Sequence, residues 1–156
     1  MMCIVLDCAK YLYDRYLADN NKEMDEMKMH KLLYFVQRES YIRTHEPLFS
    51  AVFYAWKFGP ILKEVRSAYQ SDMTIRNCHT NSLTDEAVSI LESVYNYYSK
   101  RDSWSLSRLT HGENSWQKAR QALLKDSESE CPMKNSDILL DASRVADRRV
   151  MFGHTV

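Results

Sequence analysis

The sequence predicts an all-α, mostly helical fold of six to seven helices around one central apolar helix, with one short extended segment. The first observation is the stretch Met29 to Tyr41. There Met29, Leu32, Leu33, Phe35 and Val36 recur at the three-and-four spacing of a helix face, and Tyr34 widens that face around most of the cylinder. A helix so apolar belongs inside others, with Lys28, Lys31, Gln37 and Arg38 as a narrow strip toward water. The second observation is that the same period recurs in other stretches along the chain. The third is the scarcity of breakers: 3 Gly and 3 Pro among 156 residues leave little room for long linkers. No strand-helix alternation and no repeat of fixed length is present, which argues against a nucleotide-binding sheet.

Each element has its own signal. From Ile4 to Ala18, residues Val5, Leu6, Ala9, Leu12, Tyr13, Tyr16 and Leu17 form one face, and Asp7, Lys10, Asp14 and Arg15 the other. Asp19-Asn20-Asn21 is a polar turn. The central helix starts near Met24, with Asp25 and Glu26 complementing the helix dipole in its first turn. Pro47 disfavours helical geometry at Glu46, so the chain leaves the helix after Arg43. Ala51 to Phe58, with Val52 and Phe53, is the extended segment.

Gly59-Pro60 ends that segment, and Pro60 suits the first position of a third helix, Ile61 to Tyr69, because its missing N–H would have no partner there. Ser71 to Ser82 has no period and is expected to be a loop. Ser82, Thr84 and Asp85 supply cap chemistry for a fourth helix that points Ala87, Val88, Leu91, Val94, Tyr95 and Tyr98 inward. Trp104 to Leu109 makes a shorter turn of helix with Trp104, Leu106 and Leu109. Asn114 and Gln117 have capping-box spacing ahead of Trp116, Ala119, Leu123 and Leu124. Asp126 to Pro132 is a charged break, and a last helix, Ser136 to Val150, buries Ile138, Leu139, Ala142, Val145 and Ala146. Gly153 to Val156 are expected to fray.

One domain over 1–156, with a core at about 4–150, suits this length. Lys plus Arg and Asp plus Glu each number 21, so no global field gathers phosphate or anionic lipid. Arg144, Arg148 and Arg149 alternate with Asp141 and Asp147 as on a solvated helix face. Nucleic acid and membrane are therefore not expected partners. Cys3, Cys8, Cys78 and Cys131 show no Cys-x-x-Cys spacing, and the apolar run Met1 to Leu6 is too short for a secretory core or a membrane span, so a cytoplasmic location is expected. Cys8 belongs to a core or a helix surface, and Cys3 lies near a mobile end.

Catalytic signatures are sparse. Among His30, His45, His79, His111, His154 and the cysteines, only Cys78-His79 are close, and adjacent residues rarely chelate together; no metal and no cofactor is expected. Gly59, Gly112 and Gly153 cannot spell a phosphate cradle. Carboxylate pairs such as Asp25-Glu26 and Glu128-Glu130 fit solvation and helix dipoles better than acid-base work. Two stretches stand out. Trp56-Lys57-Phe58-Gly59-Pro60 sets two large aromatics beside the sharpest backbone signal in the chain. Thr110 to Trp116 sets an imidazole, a glycine and an indole around a helix start. Each is either a structural corner or part of a binding surface, where Tyr and Trp supply much of the energy.

These residues also carry a resemblance. Lys31-Leu32-Leu33-Tyr34-Phe35, Glu46-Pro47-Leu48-Phe49, Ala55-Trp56-Lys57-Phe58-Gly59-Pro60, and Leu106-Ser107-Arg108-Leu109-Thr110-His111 with Trp116 resemble the Panacea domain family of antitoxin-like proteins from bacteria and phages. The chain departs from the family pattern at Ile61 to Val65, where valines and an aromatic are usual, and at Ser115, where a proline is. The resemblance implies a helical antitoxin, not an enzyme, that neutralises a cognate toxin by direct binding, the toxin being expected from the adjacent gene. It makes Tyr34, Trp56, Phe58, Gly59, Pro60, His111 and Trp116 the motif core, holding the fold or touching the partner. Alternatives are an adaptor delivering a toxin to a protease complex, as some members are implicated in doing, and a small helical enzyme using His111.

Overall fold

The computed structural model describes residues 2–71 and 74–153. Among them are seven α-helices, a 3-10 turn at Thr74–Asn77 and three short strands, so the fold is predominantly but not purely helical. The helices are α1 (Val5–Asn20), α2 (Glu26–Thr44), α3 (Lys63–Gln70), α4 (Asp85–Tyr98), α5 (Ser103–His111), α6 (Asn114–Ala119) and α7 (Asn135–Phe152). The central rod is α2. Asp25 caps it by accepting from the Lys28 backbone N–H at 2.8 Å, and His45 closes it in the left-handed region at φ 63°. Around it pack α1, α3, α4, α5, α7 and strand β2 (Gly59–Leu62).

The enclosure is complete enough that every residue from Lys28 to Tyr41 is buried. Leu33 and Phe35 are fully inside, as the periodicity requires. The expected polar strip is not: Lys28, Lys31, Gln37 and Arg38 are buried too. Each has an internal partner, the condition on which buried polar groups are tolerated. Lys28 Nζ donates to the Ser99 carbonyl at 2.7 Å. The Gln37 amide accepts from the Leu48 N–H at 2.8 Å and donates to the Phe49 carbonyl at 2.9 Å. Phe49 pairs in turn with Cys3, whose N–H donates to the Leu48 carbonyl, so Cys3 is a buried, fastened residue and not a mobile end. Cys8 lies in the core.

The extended segment is larger than the sequence suggests. Strand β1 (Phe53–Trp56) pairs antiparallel with β2 on one side and with β3 (Cys131–Pro132) on the other. Gly59-Pro60 therefore starts a strand, not a helix. Trp56 pairs with Gly59 across the two-residue turn Lys57-Phe58, and Pro60 is tolerated because β2 is an edge strand. The charged break 126–132 supplies the third strand, held by Arg120, which donates to the carbonyls of Ala55, Ser127 and Ser129 at 2.9 to 3.0 Å.

Other expectations shift for local reasons. Thr84 caps α4, but Ser82 instead accepts from the Ile4 N–H, and the buried Asp7 accepts from the Ser82 N–H. The loop after α3 holds the 3-10 turn, which buries Ile75; residues 72 and 73 lie outside the described residues. Ile90, rather than Val88, fills the α4 face. Trp104 is 57% exposed and Leu109 is also exposed. No capping box forms on α6: Glu113 occupies the cap position, Asp141 of α7 accepts from the Ser115 N–H at 2.7 Å, and the helix stops at Ala119, leaving Leu124 exposed. On α7, Arg149 makes a two-bond pair with Glu39 at 2.8 and 2.9 Å, so that face is only partly solvated. The helix continues to Phe152, and the fraying expected at 154–156 lies outside the described residues.

Removing the Gln37 amide strands three backbone groups of residues 48 and 49, each costing about 1–3 kcal/mol when left unpaired. Gln37→Leu is expected to lower stability by at least about 2 kcal/mol in urea unfolding; a loss below about 1 kcal/mol would contradict the anchoring role of this side chain.

Candidate functional site

The β1–β2 hairpin and the α5–α6 corner meet over one face of α2. Lys31, Tyr34 and Arg38 stand three and seven residues apart, so a single helical face presents all three to this junction. Gly59 sits against Lys31: a Cβ there would lie 2.6 Å from Thr110 Oγ1 and 2.7 Å from Lys31 Cε, and its φ of +115° is one that side chains rarely adopt. Glycine is needed on both counts.

Tyr34 is wholly buried and its hydroxyl lies 3.2 Å from Glu113 Oε1 and 3.0 Å from Ser115 Oγ. Arg38 donates to Glu113 at 2.5 Å and to the Tyr98 hydroxyl at 3.0 Å. Burial, reinforced by the Glu113 charge, raises the Tyr34 phenol well above its ordinary value, so it acts as a neutral donor. This buried pair orients the α5–α6 corner; cutting one partner of such a pair costs about 3–5 kcal/mol.

At the corner, His111 stacks on Trp116 with ring centroids 4.2 Å apart and planes 17° from parallel. Trp116 Nε1 donates to the Trp56 carbonyl at 2.8 Å, which ties the two aromatic corners together. His111 Nε2 is buried without a partner. Burial holds its imidazole below the ordinary pKa, the Lys57 backbone opposes this, and the Lys31 and Arg120 charges add to it. A ring stacked and enclosed in this way is poorly placed as a base for outside substrate.

The outer surface is aromatic. Trp56 meets Phe58 edge-to-face at 4.8 Å, and Phe58 meets Trp104 at 5.2 Å in the same geometry. Lys57 Nζ lies over the Phe58 ring at 5.0 Å and pairs with Glu128, whose carboxyl is held below its usual range first by that lysine and then by Trp56. The Glu128-Glu130 pair thus has specific partners, Glu130 accepting from Arg66 at 2.8 Å. Of the seven motif residues, Tyr34, Gly59 and Pro60 are buried and shape the junction, whereas Trp56, Phe58, His111 and Trp116 are half-buried. Trp104 completes the surface but is absent from the sequence-derived set, because its helical spacing resembles that of a core residue. Glu113 and Arg38 carry no sequence signal of a site role for the same kind of reason: a charge beside glycine, or on a helix, ordinarily signals solvent.

Among the described residues no cluster of three or more His, Cys, Asp or Glu could hold a metal, and no helix is long and apolar enough to cross a membrane.

Lys31 gives the junction a pH signature. Burial pulls its amine from the usual lysine range down to about 7. Above pH 7 the unfolded chain keeps a proton that the folded chain has released, so stability rises with pH, at a limiting slope of about 1.4 kcal/mol per unit. Between pH 7 and 8.5 this rise is expected in urea unfolding and should vanish in Lys31→Met. At higher pH the raised thiol of Cys8 and phenol of Tyr34, both protonated when folded, work in the opposite direction. An unchanged slope in the variant would show that Lys31 is charged when folded.

Comparison with known proteins agrees with the motifs. No curated protein and no solved structure matches the chain. The family described as Antitoxin SocA-like, Panacea domain, matches residues 29–117, a span that holds all seven motif residues and runs from α2 into α6. The chain therefore belongs to the SocA-like antitoxin family as a Panacea domain protein.

Proposed function

We propose that this protein is the antitoxin of a toxin-antitoxin system and neutralises its toxin by direct contact through the Trp56-Phe58-Trp104 surface. Family membership supports the antitoxin role. The observation that carries the site is the edge-to-face chain of three accessible aromatics, Trp56 and Phe58 on a hairpin that the Trp116–Trp56 bond fastens to the core and Trp104 on α5. Rigid aromatics lose little entropy on binding and carry much of the energy at interfaces. Tyr34, Gly59, Pro60, His111 and Trp116 hold this surface in shape from beneath. The protein works by occlusion, in the cytoplasm, without cofactor or catalysis.

Co-expression with the neighbouring open reading frame, scored for growth rescue and co-purification, tests the role; rescue that persists in cells lacking the main proteases favours occlusion over delivery to a protease. Trp104→Ala and Phe58→Ala are expected to keep the far-ultraviolet dichroism and thermal midpoint of the parent while weakening toxin co-purification at least tenfold, a loss of about 1.4 kcal/mol or more. Trp56→Ala and His111→Ala should abolish neutralisation and also lower the thermal midpoint. Full neutralisation by all four variants would refute the site.

A further inference from the structure

A second surface lies on the other side of α5. Two adjoining cavities, of about 510 and 350 Å³, share Tyr97 and Tyr98 at the end of α4, and residues of α2 and α7 line both. The larger has apolar walls, including Ile42, Val94 and Val150. Beyond it the last turn of α7 is an exposed apolar ridge, with Val150 86%, Met151 72% and Phe152 68% accessible. The smaller cavity is lined by Arg38, Arg101 and Arg148 beside Leu109, with Glu113 as its acid.

The charge here is unbalanced although the chain as a whole is neutral. Glu113 is engaged by Arg38 at 2.5 Å. In the larger cavity, Glu39 is bracketed by Arg149 and Arg43, at 2.8 and 3.3 Å. Five arginines thus face two glutamates, both already paired. Arg38, only 5% exposed, has an Nε without a partner; Arg101 donates to Ser105 Oγ at 3.3 Å but, like Arg148, has no ion-pair partner among the described residues. The alternation of Arg148 with acids along the sequence hides this, because α2 and the α4–α5 connection bring Arg38, Arg43 and Arg101 to it.

We propose that this groove binds an acidic amphipathic helix of a partner protein, its apolar side chains along Ile42, Val94, Tyr97 and Val150 and a carboxylate at Arg101 and Arg148. Both halves of the groove are needed to choose the occupant. A purely apolar segment would leave the guanidiniums unanswered, and a nucleic-acid backbone would satisfy them but gain nothing from the apolar floor. A helix with apolar residues at i, i+3, i+4 and i+7 and glutamates beside them satisfies both, the planar guanidinium fork matching a carboxylate. The proposal rests on the reading of this chain as a binding protein, but its residues are distinct from the aromatic surface.

The test is fluorescence anisotropy of the full chain with a labelled Leu/Glu peptide of about 18 residues in that pattern, long enough to become helical. Controls are a scrambled peptide, a Leu/Lys peptide and an oligo-thymidine strand. Micromolar binding of the Leu/Glu peptide is expected, at least tenfold weaker for every control, and at least tenfold weaker for Arg148→Glu and Val150→Asp. Both substituted positions are exposed, and unchanged thermal midpoints verify that the variants fold. Equal binding of the scrambled or Leu/Lys peptide, tighter binding of the oligonucleotide, or indifference to both substitutions would overturn the proposal. So would a dimer that Val150→Asp converts to monomer, which would make a second copy the occupant. If Trp56→Ala, Phe58→Ala, Trp104→Ala and His111→Ala all retain full neutralisation, the aromatic reading fails while peptide binding stands; if peptide binding fails while Trp104→Ala weakens toxin co-purification, only the groove is lost.

Discussion

A helix enclosed on all sides has no solvent to which it can turn its polar side chains, and the architecture of this protein follows from how α2 answers that constraint. Lys28, Lys31, Gln37 and Arg38 lie inside the protein with Tyr34 and His30. Each polar head then needs a partner from an element packed against α2. Gln37 takes the strand-like residues 48 and 49, Arg38 and Tyr34 take Glu113 at the α5–α6 corner, and His30 Nδ1 accepts from the Leu62 N–H at 3.1 Å. These bonds contribute modestly as net stability, but each would be costly to leave unmade. They therefore specify where neighbouring segments dock more than how tightly the chain is folded.

The hairpin shows the same logic at the candidate site. It is a small sheet with an edge strand, marginal on its own. It is held from below by Lys31 pressed against Gly59, from the side by Arg120 on the Ala55 carbonyl, and at its tip by Trp116 on the Trp56 carbonyl. Trp56 and Phe58 are carried by such supports, and Trp104 meets them from α5. The groove lined by α2, α4 and α7 differs in character: its arginines come from α2, α7 and the α4–α5 connection, and its apolar ridge comes from the last turn of α7, outside the span that the family match covers.

Much of this was legible in the chain itself. The α2 periodicity located the rod, Thr84 announced the cap of α4, and the two aromatic stretches carried the residues that meet at the junction. What misled was always a residue whose type suggests one environment while its neighbours supply another. Gly59-Pro60 has the signature of a helix start, yet Gly59 completes a tight turn and Pro60 sits on an edge strand. Trp104 has core spacing and core chemistry, but the hairpin reaches across α5 and leaves it as the outermost member of an aromatic chain.

The sequence by itself determined that the chain is mostly helical, which helix is central, and to which family it belongs, because periodicity and motif order are properties of neighbouring residues along the chain. Only the tertiary structure decided which charges are inside, which aromatics are outside, and that arginines from α2, the α4–α5 connection and α7 converge, since burial and pairing depend on residues far apart in sequence. A lysine is recorded in the sequence as a cation; whether it faces water or, like Lys31, lies under a glycine in the core is set by what packs over it.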